Sequence, residues 1–486
     1  MPENIQKINI LRNKKKGASY WNADYNLQIS VFFFLVIFIH KIAFPALFMP
    51  MEAFLYLFIL FFAFFYVLKK TLNLSEKLNW KDFLIRIFIL SFITRIIFLV
   101  LQNGITYIYV PDYLPFELDA IDTKHYHNVG LLIAERLKSG LNISARSIGV
   151  APSDYGFPLY LGMVYYVFGD AVFIGKLLNC VVGSFTVILL TVSVKRILTD
   201  EYARIVAYIA AFIPSSSWIS SMYLKETVMV FIIILFFYSA TNLTHKKVNA
   251  LNIGIAVLSV MALFFFRTFL GMLSITIFVT YFTITSQRSF VRRIITVLIG
   301  GAFFYIVILN SSLLLEVEQT QSSAESQTQV NFFRRTVAKN NYNFSFSQLP
   351  LIVSGAIIAP YPNFYDLDSD KHKASIRVVY RAANEMTRNI LYFFGFLGMW
   401  LFRKRWKKLF FIYGFYWGYL VVIAITGTAV HYRFQYPVVP FMIIFMSIGI
   451  VELKNKPKYR KLFPIYLSLL FLAYLGYNIL RINVRG

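Results

Sequence analysis

The sequence predicts an all-α, polytopic integral membrane protein, and two observations carry this prediction. Of its 486 residues, 58% are hydrophobic and 18% aromatic, but only 15% are charged, whereas soluble domains carry roughly 25% charged residues. Long apolar runs recur from Leu27 to Leu480, and most are near the length of helix that crosses a bilayer. Repeated runs of this length predict membrane-spanning helices.

The charge distribution predicts the orientation of these helices. The formal net charge is +25, which in a soluble protein would suggest a nucleic-acid partner. Here the basic residues lie in short loops between the apolar runs, at 14–16, 69–70, 195–196, 246–247, 292–293, 403–408 and 454–461. Basic loops remain on the cytoplasmic side, and attraction to anionic membrane lipid is a secondary consequence. We therefore predict no nucleic-acid partner and a multi-pass protein of a cell membrane.

Alternation between the basic loops predicts about thirteen spans. They lie near 28–48, 51–68, 82–101, 171–194, 202–222, 227–243, 250–266, 269–285, 294–315, 387–402, 409–425, 435–451 and 462–481. Residues 1–26 form a basic cytoplasmic N-terminus, and 27–486 form one transmembrane domain. Its two long loops, near 102–170 and 316–386, are predicted to be external. The single cysteine, Cys180, excludes an internal disulfide.

The first long loop is predicted to contain two interfacial helices. From Tyr126 the apolar residues recur at 126, 129, 133 and 137, which is the stripe of an amphipathic helix. The segment 155–169, "YGFPLYLGMVYYVFG", is rich in tyrosine and too short to span.

The acidic residues of this loop are the first candidates for chemistry. Asp119 and Asp122 lie where a helix begins, and its positive dipole end keeps a carboxylate ionised. An ionised carboxylate can act as a general base, or Asp122 can simply cap the helix. His125 and His127 are two positions apart, so they face different sides of a helix and do not form a metal pair. No metal site is predicted, although a divalent cation is left open as a cofactor.

Cationic residues from several spans are predicted to reach the external side. They are Arg95, Lys176, Lys225 next to Glu226, Arg267, and His431 with Arg433. Each alone fits a side chain that extends towards the interface or a neutralised pair such as Lys225 with Glu226. Together they could bind a phosphate or diphosphate, for which arginine has matching geometry. A lipid-linked phosphate would suit a site at the end of apolar helices.

Several of these segments resemble the GT-C superfamily of membrane glycosyltransferases, which use polyprenyl-phosphate-linked sugars. "DTKHYHNVG" resembles the Asp-x3-Tyr element of its first external loop, and "GFPLYLGMVYYVFG" its interfacial helix. "IGKLLNCVVGSFTVILLTVSVKRIL" and "IPSSSWISSMYLKETVMVF" are similar to the spans that follow. "GTAVHYRFQYPVVP" looks like the late arginine element of bacterial members from polysaccharide loci. The resemblance extends from about residue 82 to 451.

The resemblance implies an inverting glycosyltransferase of the bacterial plasma membrane. Asp122 would be the catalytic base, with Asp119 as second choice. Tyr126 completes the Asp-x3-Tyr element and would contact substrate with the cations. The donor would be a polyprenyl-linked sugar, and the acceptor a glycan, lipid or protein. A lipid-linked oligosaccharide polymerase and a flippase or transporter of lipid-linked glycans remain alternatives.

Overall fold

The computed structural model describes residues 20–43, 51–74, 78–109, 111–117, 121–245, 249–285, 372–425 and 432–485. Every regular element in these ranges is helical, which confirms the predicted all-α class. Six helical segments within them are long and apolar enough to cross a membrane: Asp24–Ala43, Trp80–Ile108, Val172–Ile197, Lys225–Thr244, Arg433–Asn455 and Pro457–Ile479. The count of about thirteen spans stays a prediction.

We number the described α-helices α1 to α17. The first nine are α1 (Ala23–Ala43), α2 (Met51–Leu74), α3 (Trp80–Tyr109), α4 (Ile121–Lys138), α5 (Ala145–Ile148), α6 (Pro152–Phe168), α7 (Val172–Ile197), α8 (Asp200–Phe212) and α9 (Pro214–Ser220). The remainder are α10 (Lys225–His245), α11 (Ala250–Phe266), α12 (Thr268–Thr285), α13 (His372–Phe402), α14 (Phe410–Ile425), α15 (Tyr432–Gln435), α16 (Val439–Asn455) and α17 (Leu462–Arg485). Short 3-10 turns lie at Pro111–Tyr113, Arg403–Arg405, Tyr436–Val438 and Pro457–Lys461.

The predicted span 202–222 is not one helix, and that prediction is corrected. Helix α8 ends at Phe212 and α9 begins at Pro214. Ile213 between them has φ −56° and ψ 120°. A residue before proline is pushed out of the helical region because the proline ring clashes with its backbone. Another predicted span, 294–315, lies outside the described residues.

Helix α3 is longer than the predicted span 82–101, and this changes the position of Arg95. The helix has 30 residues and ends at Tyr109, so Arg95 lies near its middle rather than in its outer part. Buried polar residues follow one face of α3: Ser91, Arg95, Gln102 and Thr106. Their spacing of four and seven residues keeps them on one side of a helix.

The two predicted helices of the first long loop are present as α4 and α6, which pack closely together. Gly162 allows this approach, because a Cβ there would lie 2.5 Å from Cγ2 of Ile133. Their location at a membrane interface stays a prediction. Together they cover one end of the bundle, next to the N-termini of α7 and α10.

Helix α16 forms the centre of the bundle and is almost wholly buried. It lies backbone to backbone against α13, since a Cβ on Gly449 would be 1.9 Å from the carbonyl oxygen of Phe394. Gly398 makes the reciprocal approach to Phe445 at 2.1 Å. No side chain fits at either position without moving a helix, so these glycines allow α13 and α16 to pack closely.

Candidate functional site

Side chains from five segments meet at the end of the bundle covered by α4 and α6. They are Asp122 of α4, Asp154 of α6, Lys225 and Glu226 of α10, Arg267 between α11 and α12, and Arg433 of α15. We call these residues, with Tyr126, the charged cluster. Most were predicted from the sequence, and the fold brings them together from positions up to 311 residues apart.

Within the charged cluster, Arg433 links a carboxylate of α4 to a carboxylate of α10. Its Nη1 donates to Oδ2 of Asp122 at 2.9 Å, and its Nη2 donates to Oε1 of Glu226 at 3.2 Å. The Asp122 side chain is 50% exposed, whereas that of Glu226 is fully buried. One guanidinium therefore bridges an accessible carboxylate and a buried one.

Glu226 is the deepest carboxylate of the charged cluster. It lies in the first turn of α10, where the positive end of the helix dipole stabilises a negative charge. Its second oxygen, Oε2, is buried without a hydrogen-bond partner. A buried polar atom without a partner is costly, and such an atom often lies at a place that a ligand completes.

Lys225 is paired with Asp154, not with its neighbour Glu226 as one sequence interpretation had it. The Nζ of Lys225 donates to Oδ1 of Asp154. The lysine is buried, but the side chain of Asp154 is 48% exposed. Nζ also lies 5.8 Å from the centre of the Tyr126 ring. Lys225 thus resembles the partly buried Arg433, since each cation has one accessible carboxylate partner.

Tyr126 forms one wall of the charged cluster. It is 6% exposed, and its ring packs edge-on against Phe157 with 5.4 Å between centroids. Burial raises the pKa of its hydroxyl well above the ordinary value, and the nearby carboxylates of Glu226, Asp154 and Asp122 raise it further. The hydroxyl therefore remains protonated and can donate a hydrogen bond.

Arg267 approaches the charged cluster from the loop between α11 and α12. Its guanidinium carbon lies 4.5 Å from the centre of the Phe434 ring, and its Nη1 lies 3.5 Å from the Tyr419 hydroxyl. That hydroxyl donates to the carbonyl oxygen of Phe434 at 2.7 Å. Arg267 is thus held beside α15, next to the residue that follows Arg433.

Lys176 belongs to a separate buried group. Its Nζ lies 3.4 Å from Oε1 of Glu117 and donates to the Pro115 carbonyl at 2.6 Å. Glu117 also accepts the Tyr223 backbone N–H at 2.6 Å. This group fixes the first loop against the segment that precedes α10, and so it supports the charged cluster without joining it.

Arg95 is not brought to the charged cluster. It is buried in the middle of α3, where Nη1 donates to the Ser91 carbonyl at 3.0 Å. Its Nε has no hydrogen-bond partner and would lie 2.7 Å from a Cβ on Gly183. Asp119 and His431 lie outside the described residues, so their predicted roles stay predictions.

Asp122 lies in the first turn of α4, directly after the first helical residue. Its carboxylate contacts Arg433 of α15, which lies 311 residues later in the chain. This contact gives the residue a tertiary role that helix capping alone does not require.

The sequence interpretation missed two sets of residues. Asp154 was not singled out, although "PSD" is typical of a helix start. The second set follows Arg433: Gln435 accepts a hydrogen bond from the buried Arg388 at 3.0 Å, and the Tyr436 hydroxyl lies 3.4 Å from that of Ser220. Successive residues of α15 and the following turn therefore contact different helices.

Within the described ranges, no three His, Cys, Asp or Glu side chains form a group that could hold a metal ion. The charged cluster instead alternates cations with carboxylates, which suits an anionic ligand and a proton acceptor side by side. No protein-family model matches this chain, and no curated protein matches it significantly.

Proposed function

We propose that the chain is a multi-pass membrane glycosyltransferase that transfers a sugar from a polyprenyl-phosphate-linked donor to a glycan, lipid or protein acceptor. The bridge from Asp122 through Arg433 to Glu226 is the observation that carries the proposal. It sets an accessible carboxylate beside a cation that a buried carboxylate anchors. An inverting transfer requires this combination: a proton acceptor and a positive group for the leaving phosphate.

In the proposed reaction the acceptor hydroxyl oxygen attacks the anomeric carbon of the donor sugar. The bond from that carbon to the phosphate oxygen breaks, and the phosphate keeps the electron pair. Asp122 takes the proton of the attacking hydroxyl. The Nη1 of Arg433 moves its hydrogen bond from Asp122 to the phosphate, while its Nη2 stays hydrogen-bonded to Glu226. This exchange stabilises the leaving group and frees the base.

A lipid-linked donor fits the surroundings of the charged cluster. Helix α6, which supplies Asp154, carries exposed apolar side chains towards its C-terminus: Met163, Tyr166, Val167 and Phe168 are each more than half exposed. Apolar groups this exposed belong against lipid rather than water. In this proposal the charged cluster lies at the external face, the basic loops lie in the bacterial cytoplasm, and the donor tail lies in the bilayer.

A lipid-linked oligosaccharide polymerase would use the same reaction, with a second lipid-linked chain as the acceptor. The flippase alternative is supported by a different observation. The buried polar face of α3 extends from Thr106 to Arg95 and Ser91, towards the middle of the bundle. A carrier of lipid-linked glycans requires polar groups along such a path, whereas a transferase does not.

The substitution Asp122→Asn separates the two sugar-transfer functions, glycosyltransferase and polymerase, from the flippase. The amide still accepts a hydrogen bond from Arg433 but cannot take a proton. We expect sugar transfer from a polyprenyl carrier in isolated membranes to fall by about 10²–10⁴-fold at matched protein level. A flippase would tolerate the change. The assay quantifies polyprenyl-linked donor and glycosylated product by mass spectrometry.

The matched control is Asp112→Asn, which neutralises an exposed carboxylate of the same connection and is expected to leave transfer unchanged. Asp119→Asn, alone and with Asp122→Asn, tests the second candidate base. Unchanged transfer in both single variants and in the double variant would exclude the proposed reaction.

A further inference from the structure

The opposite end of the bundle carries two strongly basic loops. The connection from α13 to α14 contains Arg403, Lys404, Arg405, Lys407 and Lys408, and all of residues 403–408 are exposed. The connection from α16 to α17 contains Lys456, Lys458, Arg460 and Lys461. Neither "RKRWKK" nor "KPKYRK" contains an acidic residue.

The fold places these two loops side by side. The rings of Trp400 and Tyr459 meet edge to face, with 5.3 Å between centroids and 87° between planes. Arg403 lies over the same Trp400 ring, with its guanidinium carbon 4.8 Å from the ring centre. The helices that lead into the loops are α13 and α16, which pack backbone to backbone. The loops therefore form one surface, which we call the two-loop basic surface.

In the described part of the chain, carboxylates neutralise the inner edge of this surface. Glu452 lies 2.9 Å from Lys456, and Glu201 lies 3.8 Å from Lys454. Among the residues that the structure describes, the cations of 403–408 and Lys458 and Lys461 form no ion pair with a carboxylate. Within this part of the chain, these cations are therefore accessible to an anionic partner.

We propose that the two-loop basic surface binds the headgroups of anionic phospholipids. The loop from α16 to α17 joins two segments of membrane length, Arg433–Asn455 and Pro457–Ile479. Whichever bilayer these segments cross, the loop between them lies at its surface. Trp400 and Trp406 are 45% and 44% exposed beside the cations, and tryptophan is enriched at the headgroup level. Clusters of four to eight Lys and Arg next to a span attract anionic lipid.

The test is a lipid titration of the purified full-length protein in detergent, followed by native mass spectrometry. The association constant for phosphatidylglycerol is compared with that for zwitterionic phosphatidylcholine. We expect a clear preference for phosphatidylglycerol that weakens with salt. Lys404→Glu with Lys407→Glu changes one loop, and Lys458→Glu with Lys461→Glu changes the other. Either pair is expected to reduce phosphatidylglycerol binding by roughly tenfold or more, because both loops contact the same headgroups.

The matched control is Lys138→Glu with Arg146→Glu, which makes the same change in net charge with two exposed cations at the other end of the bundle. This pair is expected to retain the preference. Three results would overturn the proposal: equal binding of the two lipids by the wild type, an equal loss in the control pair, or a loss from one loop only. Capture of an acidic protein without a lipid preference would also reject it.

Discussion

The two ends of the helical bundle differ in how far their ion pairs are exposed to solvent. At the basic end, Lys195 and Asp200 form an ion pair of 2.8 Å, with side chains 36% and 49% exposed. In the charged cluster, Arg433 and Glu226 form a longer pair of 3.2 Å, with side chains 12% and 0% exposed. Burial rather than distance determines which pair has the larger interaction energy, because water and salt screen an exposed pair.

This difference separates the roles of the two ends. Exposed cations at the basic end keep their hydration and act together as a surface. The buried ions of the charged cluster lose hydration, and ion pairing restores only part of that loss. Such an arrangement contributes little to stability compared with apolar packing, so it favours a functional role for the ions. It also makes a buried ion such as Glu226 costly to leave without its partner.

The largest expected effect on stability comes from Arg433→Met. The substitution keeps an apolar stem but leaves the buried Glu226 carboxylate without its cation. We expect a loss of about 3–5 kcal/mol in the free energy of unfolding, the usual result of breaking a buried pair from one side. The measurement is reversible unfolding in mixed micelles.

The double variant Arg433→Met with Glu226→Gln distinguishes ion pairing from packing. Removing the carboxylate together with its partner is expected to restore much of the lost stability, because no charge remains buried alone. If the double variant is as unstable as Arg433→Met, the loss comes from packing, and the contrast between the two ends does not hold.

Most of the helical architecture could be predicted from the sequence because apolar runs are local signals. The helices at 250–266 and near 269–285 closely match α11 and α12. The break before Pro214 also has a local signal, but the apolar composition of the segment concealed it. The extension of α3 to Tyr109 could not be predicted, because its last turns are polar and aromatic. They also contact residues far away in the sequence, as Gln102 does with the Trp218 carbonyl.

The sequence singled out most residues of the charged cluster, but not Asp154 and not the pairings between them. Asp122 and Arg433 were both expected to take part in the reaction, as a base and as a phosphate ligand, but not to contact each other. Their contact spans 311 positions, and that of Lys225 with Asp154 spans 71. No local pattern specifies such pairs. The pairing of Lys225 with Glu226 was suggested by adjacency, but consecutive helical side chains point in different directions.

A smaller, pH-dependent effect is expected at His127, beside the charged cluster. Its Nδ1 lies 2.7 Å from the Tyr165 hydroxyl, and its Nε2 lies 3.8 Å from Asp170. Burial lowers the pKa of His127 below the ordinary 6.5, while Asp170 opposes this shift in part. The folded protein thus binds the proton less readily than the unfolded chain. The stability from the neutral imidazole is complete above pH 6.5 and is lost as the pH falls through the lower folded value.

We expect the wild type to lose thermal stability below pH 6.5 more steeply than His127→Gln. At neutral pH, His127→Gln is expected to lower the free energy of unfolding by about 0.5–1.5 kcal/mol, because the hydrogen bond between His127 and Tyr165 is lost. His125→Gln is the matched control, since His125 is an exposed residue on the same helix and should keep the wild-type pH dependence. Identical pH profiles for the wild type and His127→Gln would contradict the assignment.

The smallest expected effect is at the basic end, in the pair of Lys195 and Asp200. A double-mutant cycle of Lys195→Met and Asp200→Asn, measured by unfolding in mixed micelles, is expected to give a coupling energy of about 0.2–1 kcal/mol. The Nζ of Lys195 also lies 3.7 Å from the centre of the Trp80 ring. The energy of this second contact is lost in both variants that lack Lys195, so it cancels in the double-mutant cycle. The coupling should fall further in high salt because both side chains are accessible. A coupling as large as that of Arg433 with Glu226 would mean that distance, and not burial, sets the strength of these pairs.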